Sequence, residues 1–439
     1  MRWTCLGHAM WLAEAGNTRI VMDPLLGETC HDGVFRTHPA RRIDVDALKP
    51  DLIVVTHRHP DHFDVPSLHR LAQQDPTSVV LTSDELVASS CRRLGFHNVG
   101  ILAVGDVVPL KGATLTTTPS LCKVVEWGVV VATDDGVVWN QVDTVLNDAA
   151  TAQGVWDDVN TALGRSGPAT ALIAQWQPLR EVEPHIYGRL DFPRAAYAQA
   201  LARAAALRPG HLIPGAAGHH HVGAASWLNA HAYPVSEDRF LRDLARLAPE
   251  LPTSRAKVGA TWQVHAGRLS RVEQTASLVT QLATPDERRW APFALPELVG
   301  GGTADDRELV HTWVELALRP ALAARLRAQP TLTVGVDVLW SDTVDAWSFT
   351  HADDGVGMAR VHDPEWDSLD RIHGGELARV LRGEAHWGRP LLAGLLRHYE
   401  RCDAHAKPVG GRRIALYDAL PYERATERWV EHQLSECGG

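Results

Sequence analysis

The pattern of apolar and polar positions predicts short strands and helices along the first half of the chain. Alternating or continuous apolar stretches bounded by turn residues predict two strands within residues 1–26, and further strands at 51–55, 78–82, 99–104, 107–110, 114–118, 124–133, 136–140, 169–174 and 211–214. Helical periodicity predicts helices at 67–74, 83–94, 149–163 and 192–207. This order predicts two β-sheets packed between helices, with loops from both halves meeting at one edge.

The character of the chain changes near residues 240–252. A polar, helical pattern follows as far as residue 296, and an amphipathic helix is predicted at 305–328. Alternating strands are then predicted at 331–340, 343–351 and 356–361, with helices at 375–382 and 390–399. We therefore expect an α/β fold with a first domain over residues 1–240 and a smaller α+β domain over residues 241–439.

Composition narrows the class of protein. The 439 residues are 45% hydrophobic, which is enough for two cores, and the formal charge of −10 comes without a block of Lys or Arg. That charge argues against nucleic acid as a partner. No apolar run reaches the length of a membrane span, and the N-terminus lacks a signal-peptide core, so we expect a cytoplasmic protein without a membrane partner. Six cysteines without a CxxC pair argue against disulfides and thiolate zinc sites.

Three histidines and one carboxylate are crowded into residues 57–62. His57, His59, Asp61 and His62 directly follow the predicted strand at 51–55, where α/β proteins place their chemistry. His57 and His59 are two residues apart and can reach one point, whereas Asp61 and His62 follow the turn at Pro60 and can reach a second. Imidazole and carboxylate are ligands of zinc, iron and manganese. This spacing and strand context favour a metal site with two ions over a His-rich surface loop.

Together with Gly7-His8-Ala9 and Asp23-Pro24, the His57-x-His59-x-Asp61-His62 motif resembles the metallo-β-lactamase superfamily. The resemblance implies an αββα sandwich that carries two metal ions. It also implies three further ligands, namely a His after a middle strand, a bridging Asp and a late His. Asp143, within Gln141-Val142-Asp143-Thr144, is similar to the bridging Asp of the family. The alternative is an Asp that caps a helix or a turn.

The other two implied ligands depart from the family pattern. No His occurs near residues 118–122, so we favour Glu126 as the ligand at this position, with Cys122 or no protein ligand as the alternatives. The late His of the family aligns with Ala216, and the triplet His219-His220-His221 follows slightly later. His219 is our first candidate, but the choice among the three remains open.

A Glu at the middle position makes the site more anionic, which suits iron better than zinc. Segments 174–178, 212–218, 372–377 and 381–387 look similar to proteins related to the CMP-sialic acid hydroxylases, and Glu126 resembles a feature of the diiron β-hydroxylases of non-ribosomal peptide pathways. These resemblances imply a non-haem diiron oxygenase that hydroxylates or N-oxygenates a polar small molecule in a biosynthetic pathway. One iron would be held by His57, His59 and Glu126, the other by Asp61, His62 and His219, with Asp143 bridging.

Such an oxygenase would use O2 and electrons from an external reductase or from the substrate. No paired Cys-x-His and Cys-x-x-His set occurs, so we do not expect a Rieske cluster. The alternative function is a dinuclear zinc or manganese hydrolase that acts on an ester, a lactone or a phosphodiester. Asp61, which could orient the attacking water, and the bridging Asp143 are the catalytic candidates. A third hypothesis is a metal-binding or scaffolding protein without turnover.

The C-terminal region resembles sterol-carrier-protein-2-like domains over about residues 330–400. The match rests on the order of strands and helices. It implies a sheet that covers an apolar tunnel, so one interpretation is a lid that shapes the substrate site. The alternative is a packing or dimerisation domain. The sequence does not indicate the oligomeric state.

Overall fold

The computed structural model describes the whole chain except residues 123, 190, 217, 273–276, 284–294, 354, 361–364, 404–406, 410, 412 and 439. The strands, in chain order, are β1 (Arg2–Gly7), β2 (Met10–Ala15), β3 (Thr18–Met22), β4 (Thr29–Cys30), β5 (Phe35–Thr37), β6 (Arg41–Ile43), β7 (Leu52–Val55), β8 (Val79–Thr82), β9 (Asn98–Ile101), β10 (Val107–Leu110), β11 (Ala113–Pro119), β12 (Trp127–Thr133), β13 (Gly136–Asn140), β14 (Ala171–Ala174), β15 (Leu212–Pro214), β16 (His219–His221), β17 (Thr261–His265), β18 (Arg268–Val272), β19 (Val279–Gln281), β20 (Val334–Leu339), β21 (Val344–Ala352), β22 (Gly355–Arg360), β23 (Ser368–His373) and β24 (Leu396–Glu400).

The α-helices, in chain order, are α1 (Val45–Leu48), α2 (Val65–Gln74), α3 (Glu85–Arg93), α4 (Ala149–Ala162), α5 (Glu183–Ile186), α6 (Arg194–Ala206), α7 (Asn229–Ala232), α8 (Glu237–Leu247), α9 (Ala304–Trp313), α10 (Arg319–Ala321), α11 (Ala323–Ala328), α12 (Gly374–Arg382), α13 (Gly388–Leu392), α14 (Leu416–Ala419) and α15 (Tyr422–Glu436). A 3₁₀ turn covers Gly223–Leu228 and a π-helical turn covers Val314–Leu318.

Two large sheets face each other in the first part of the chain. One has the strand order β18-β17-β1-β2-β3-β7-β8-β9, and the other has the order β10-β11-β12-β13-β14-β15. Strands β3, β7, β8 and β9 run parallel, as do β13, β14 and β15. Parallel neighbours bring the carboxyl ends of their strands to one edge of a sheet, and the loops that follow them meet there.

The strand residues alternate between two buried faces. In β7, Leu52 and Val54 point into the core between the two sheets, whereas Ile53 and Val55 point toward the helices on the outside. Trp3, Trp11 and Trp262 are among the fully buried side chains of the core between the sheets. Because both faces are covered, β7 is apolar at every position, as expected for a buried parallel strand.

Helices cover the outer face of each sheet. Residues of α2, α3 and α15 pack on the outside of the first sheet. Residues of α4, α6 and α8 pack on the outside of the second. Their core positions recur at helical spacing, as in α2, where Leu68, Leu71 and Ala72 are buried. The layer order is therefore helix, sheet, sheet, helix, and the predicted α/β sandwich is confirmed.

The prediction of a helical pattern over residues 240–296 is wrong beyond α8. Residues Thr261–His265 and Arg268–Val272 form a hairpin, and β17 pairs antiparallel with β1. Trp262 and Val264 alternate with Thr261 and Gln263, which is the period of a strand. The first sheet therefore continues past residue 240, where we placed the end of the first domain. The parts of the prediction at 273–276 and 284–294 lie outside the described residues.

The C-terminal region has its own sheet, with the strand order β22-β21-β20-β23-β24, and its own core. The helix predicted at 305–328 is divided into α9, the π-helical turn, α10 and α11. The helix predicted at 390–399 ends at Leu392, and β24 follows it. The strand predicted at 356–361 corresponds to β22, and residue 361 lies outside the described residues. The resemblance to sterol-carrier-protein-2-like domains stays a prediction.

Among the described helices, none is both long enough and apolar enough to cross a membrane.

Candidate metal centre

Loops from both sheets bring histidines and carboxylates to one edge of the sandwich. His57 follows β7, Asp23 follows β3, and Asp143 follows β13. Glu181 lies in the loop after β14. His219 opens β16, which pairs with β5 in a small sheet with the register His219↔Thr37. Strand ends of two facing sheets therefore supply one site, as the sequence predicted.

His57, His62 and Asp143 form a first group that could hold a metal ion, with one ligand atom of each residue within 4.8 Å of the others. The Nε2 atom of His62 lies 3.1 Å from Oδ2 of Asp143. The Nε2 atom of His57 lies 2.9 Å from Nδ1 of His59, so His59 extends this group. His57 and His62 are fully buried, and Asp143 is partly exposed toward the cavity.

Asp23 and Thr56 fix the orientation of the two buried histidines. Thr56 donates from its backbone N–H and its hydroxyl to the Asp23 carboxylate, at 2.8 and 2.9 Å. The Nδ1 atom of His62 lies 2.9 Å from the same carboxylate, and Nδ1 of His57 lies 3.1 Å from the Thr56 hydroxyl, whose proton is already used. Both Nδ1 atoms therefore carry the donated proton. Each Nε2 is left to face the site, which is the usual arrangement behind metal-binding histidines.

A second group consists of His8, Asp61 and His219, which also lie within 4.8 Å of one another. Nε2 of His8 lies 2.9 Å from Oδ2 of Asp61, and Nε2 of His31 lies 3.0 Å from Oδ1. Two histidines thus hold the two oxygens of one carboxylate. Nε2 of His219 lies 3.2 Å from Oε1 of Glu181, a carboxylate that also lines the cavity described below.

The close approach of His8 depends on a glycine. The backbone N–H of Gly218 donates to Nδ1 of His8 at 3.2 Å, and a Cβ at residue 218 would lie 2.6 Å from Cα of His8. Because Nδ1 accepts this hydrogen bond, the proton of a neutral His8 resides on Nε2, which donates to Asp61. His8 therefore positions the Asp61 carboxylate in the site.

The electrostatics of the site suit a bound cation. Burial lowers the pKa of His62, but the carboxylates of Asp61, Asp143 and Asp23 outweigh it and raise that pKa well above its usual value. Burial lowers the pKa of His57, and the neighbouring His62 and His59 lower it further. In the absence of a metal, His62 thus takes up a proton between two carboxylates. A divalent cation would neutralise the same negative charge, so the donor set fits a metal ion.

The structure brings most of the predicted ligands together. His57, His62 and Asp143 share one group, Asp61 and His219 share the other, and His59 contacts His57. The partition differs from our assignment, which placed His62 with Asp61 and His219. His62 still connects the groups, since its Nε2 lies 3.5 Å from Oδ2 of Asp61.

Glu126 belongs to neither group. It is 6% exposed and accepts a hydrogen bond from the Ser120 hydroxyl. Burial raises the pKa of Glu126 to about 7, with a further contribution from the Asp143 charge, which the hydrogen bond from Ser120 opposes. Its role as a ligand stays a prediction. His220 and His221 also turn away from the groups, because His220 stacks on His38 and His221 contacts Asn229.

The sequence interpretation missed the site roles of His8, His31 and Glu181. His8 was noted only as part of the Gly7-His8-Ala9 motif. His31 lies in a turn of the β4–β5 hairpin, and Glu181 lies in a long loop after β14. Glu181 has neither a motif nor a strand end directly before it, and His31 follows only the two-residue strand β4, which the apolar pattern does not predict, so their approach to Asp61 and His219 depends on tertiary structure.

The C-terminal region fixes the hairpin that carries His31. The Asp32 carboxylate accepts hydrogen bonds from the Trp429 indole at 3.1 Å and from the backbone N–H of His386 at 3.2 Å. The Arg389 guanidinium donates to the backbone carbonyl of Asp32. A Cβ at Gly388 would lie 3.1 Å from Nδ1 of His31, so a glycine permits the close contact of α13 with this histidine. The second half of the chain thus contributes to the geometry around Asp61.

The two groups open into a cavity of about 220 Å³. Residues of the metal groups and their neighbours form one side of it. Residues of both halves of the chain complete the lining, which comprises His8, His31, His59, Asp61, Asp143, Leu179, Glu181, Val182, His219, Gly388, Leu391, Leu392 and Tyr422. Residues of α13 and the start of α15 thus supply part of the lining, and the lid interpretation of the C-terminal region stays a prediction.

Residues 2–145 match the family model described as "Beta-lactamase superfamily domain". A UPF0173 metal-dependent hydrolase from Pyrobaculum aerophilum is 26% identical over 235 residues, which cover 48% of this chain and 98% of that protein. A UPF0173 metal-dependent hydrolase from Methanopyrus kandleri is 27% identical over 160 residues, which cover 34% of this chain and 64% of that protein. The matches to both relatives leave at least half of this chain uncovered.

Among solved structures, CmlA, a diiron β-hydroxylase from Streptomyces venezuelae, is 17% identical with a TM-score of 0.41, and the match covers 62% of this chain and 54% of that one. This similarity is too low to carry an inference about chemistry.

Proposed function

We propose that this chain is a metal-dependent hydrolase with a dinuclear centre that holds zinc or manganese. The observation that carries the proposal is the pairing of two buried ligand groups that open into one cavity. The curated relatives reported above, which bear the name metal-dependent hydrolase, support the same function. The whole chain is larger than the matched segments, so the proposal concerns the sandwich and the wall that the C-terminal region adds to it.

Some residues would hold a metal ion, and others orient the side chains of these ligands. His57, His59, His62 and Asp143 would hold one ion, and Asp61 with His219 the other, with His62 and Asp143 close to both. When bound, two divalent cations would lower the pKa of water and polarise the scissile bond. Asp23 fixes the imidazole of His62 from behind, and Glu181 contacts the imidazole of His219 at the cavity. His8 and His31 hold the Asp61 carboxylate, which we assign to orient the attacking water.

The oxygenase hypothesis depended on Glu126 as an iron ligand. Glu126 accepts hydrogen bonds from the Ser120 hydroxyl and the Val145 backbone N–H, and it belongs to neither of the two ligand groups. No described contact therefore favours iron over zinc or manganese. Hydroxylation or N-oxygenation by a diiron form stays a hypothesis, and the experiment on the proposed function separates the two chemistries.

The test combines metal content with anaerobic turnover. Protein stripped of metal is loaded with Zn²⁺, Mn²⁺ or Fe²⁺, bound metal is counted by mass spectrometry, and hydrolysis of 4-nitrophenyl acetate, γ-butyrolactone and methyl 4-nitrophenyl phosphate is measured without O2. We expect about two ions per chain and turnover of at least one substrate with Zn²⁺ or Mn²⁺. Asp143→Asn should lose most of that turnover, whereas Asp148→Asn, an exposed helix cap, should retain it. Turnover that needs Fe²⁺, O2 and a reductant would overturn the proposal.

A further inference from the structure

The carboxylates around the cavity have histidines, and neither Lys nor Arg, as their described partners. Asp61, Asp143 and Glu181 line the cavity, and its described lining contains neither Lys nor Arg. The nearest arginine of the wall helix is Arg389, which points away from the cavity. Its guanidinium bonds both oxygens of Glu376, at 2.7 and 3.1 Å, and the backbone of Asp32. The cavity therefore lacks the Arg or Lys side chains that usually bind phosphate or carboxylate groups.

Two bound divalent cations would reverse this balance only slightly, because the three carboxylates offset three of their four positive charges. The site would keep a net charge of about +1, and an anionic group that neutralised it would still lack the bidentate hydrogen bonds that Arg supplies. A neutral carbonyl group pays little desolvation cost on entering the same site, whereas an anion pays a large one.

The opposite wall of the cavity is apolar and comes from both halves of the chain. Leu179 and Val182 belong to the loop after β14, and Leu391 and Leu392 belong to α13. The wall is held in place, because the backbone carbonyl of Leu391 lies 2.5 Å from Nε2 of the buried His185. A short aliphatic group therefore finds a preformed apolar surface in the same cavity as the metal groups.

The size of the cavity limits the substrate. Its volume of about 220 Å³ is below the range of roughly 300–1,000 Å³ that is typical of ligand pockets. A cavity of this size favours a small acyl group over a long acyl chain.

We propose that the substrate is a small, uncharged carboxylic ester or lactone whose short aliphatic acyl group packs against Leu179, Val182, Leu391 and Leu392. This inference rests on the proposed hydrolase function and narrows it, since it disfavours the phosphodiester alternative. In the reaction, the oxygen of water bonds to the acyl carbon and the acyl C–O bond breaks. The alcohol oxygen takes one proton of the water, and the second is released as the acid ionises. No oxidant or reductant is needed.

The first test compares two substrates with the same leaving group and similar size, 4-nitrophenyl acetate and methyl 4-nitrophenyl phosphate, on the zinc- or manganese-loaded full chain. Relative to the uncatalysed rates, we expect a higher kcat/KM for the ester. Glu181→Gln should raise the ratio of phosphodiester to ester kcat/KM several-fold, because it removes one negative charge from the lining. A larger kcat/KM for the phosphodiester in the unaltered chain would overturn the substrate class and leave the hydrolase function intact.

The second test addresses the apolar wall. Leu391→Ala should raise kcat/KM for 4-nitrophenyl octanoate relative to the acetate by about tenfold, because it opens the wall. Leu247→Ala, at an exposed position of α8, should leave that ratio unchanged. An unchanged ratio in Leu391→Ala would contradict the assigned wall.

A binding measurement keeps this inference independent of turnover. Saturation-transfer NMR on the metal-loaded chain compares butyramide, which is neutral, with butyrate, which is anionic. We expect saturation transfer to butyramide and not to butyrate. The transfer to butyramide should be weaker in Leu391→Ala. If neither ester nor phosphodiester is hydrolysed with any metal, the hydrolase function fails, and preferential binding of butyrate would then also reject the uncharged class.

Discussion

Replacement of Asp23 by Asn tests the orientation of the candidate ligands without touching a ligand. The Asp23 carboxylate is fully buried and accepts three hydrogen bonds, two from Thr56 and one from His62. In Asp23→Asn, an amide NH₂ replaces the oxygen that faces His62 and the Thr56 hydroxyl. His62 must then accept at Nδ1 and carry its proton on Nε2, where it blocks the metal. The alternative amide orientation leaves the Thr56 backbone N–H without its acceptor.

The expected loss follows from the role of the carboxylate. Residues that orient a metal-binding imidazole typically contribute about 10–100-fold in metal affinity. That factor corresponds to about 1.4–2.7 kcal/mol. Asp23→Asn should therefore weaken Zn²⁺ binding by a factor in this range, measured by competition with a chromophoric chelator on protein that circular dichroism shows to be folded.

A matched control is Asp64→Asn. Asp64 is a partly buried carboxylate that caps α2 through Ser67 and has no described contact with the ligands. Asn also serves as an N-cap, so zinc affinity should stay at the wild-type value. Wild-type zinc affinity in folded Asp23→Asn would refute the assigned orientation of His62.

Three further outcomes are expected. Asp32→Gly should lower the free energy of unfolding by about 1–3 kcal/mol in urea titrations, because two hydrogen bonds to the C-terminal region are lost and glycine tolerates the positive φ of this residue. An unchanged urea midpoint would contradict the stabilising role of these hydrogen bonds. His398→Gln should destabilise more at pH 6 than at pH 9. Burial lowers the pKa of His398, but Asp370 and Glu400 outweigh this effect and raise the pKa above 6.5. The contribution of His398 to the free energy of unfolding is therefore complete below pH 6.5 and is lost as the pH rises through the folded-state pKa. Equal losses of stability in the variant at pH 6 and pH 9 would argue against this. Chelation should lower the stability of the loaded chain by about 2.7 kcal/mol when free metal had been 100-fold above Kd; a thermal midpoint that EDTA leaves unchanged would speak against a resident metal.

The sandwich was predictable because its strands carry a strong local signal. Strands such as Leu52–Val55 are apolar throughout and end at turn residues, and helices such as α2 have buried positions at regular spacing. The hairpin of β17 and β18 was missed for a physical reason. Four of its ten strand positions are polar and exposed, three of them in the edge strand β18, and the partner strand β1 lies more than 250 residues away in sequence.

The same contrast applies to the candidate site. His57, His59, Asp61 and His62 are adjacent in sequence, so their spacing alone indicates a metal site. Asp143 follows a strand directly and was placed by the family resemblance. His31 and Glu181 reach the site through a hairpin and a long loop that the C-terminal region helps to fix, and no local pattern encodes that contact.

The most direct test of the account follows the origin of the oxygen atom in the product. The zinc- or manganese-loaded chain is given 4-nitrophenyl acetate in H₂¹⁸O without O2, and the acetate is examined by mass spectrometry after a single turnover. The account predicts one ¹⁸O atom from water in each acetate formed, at a rate that Asp143→Asn reduces strongly. Label that enters a product only from ¹⁸O₂, in an iron-loaded chain supplied with a reductant, would contradict it.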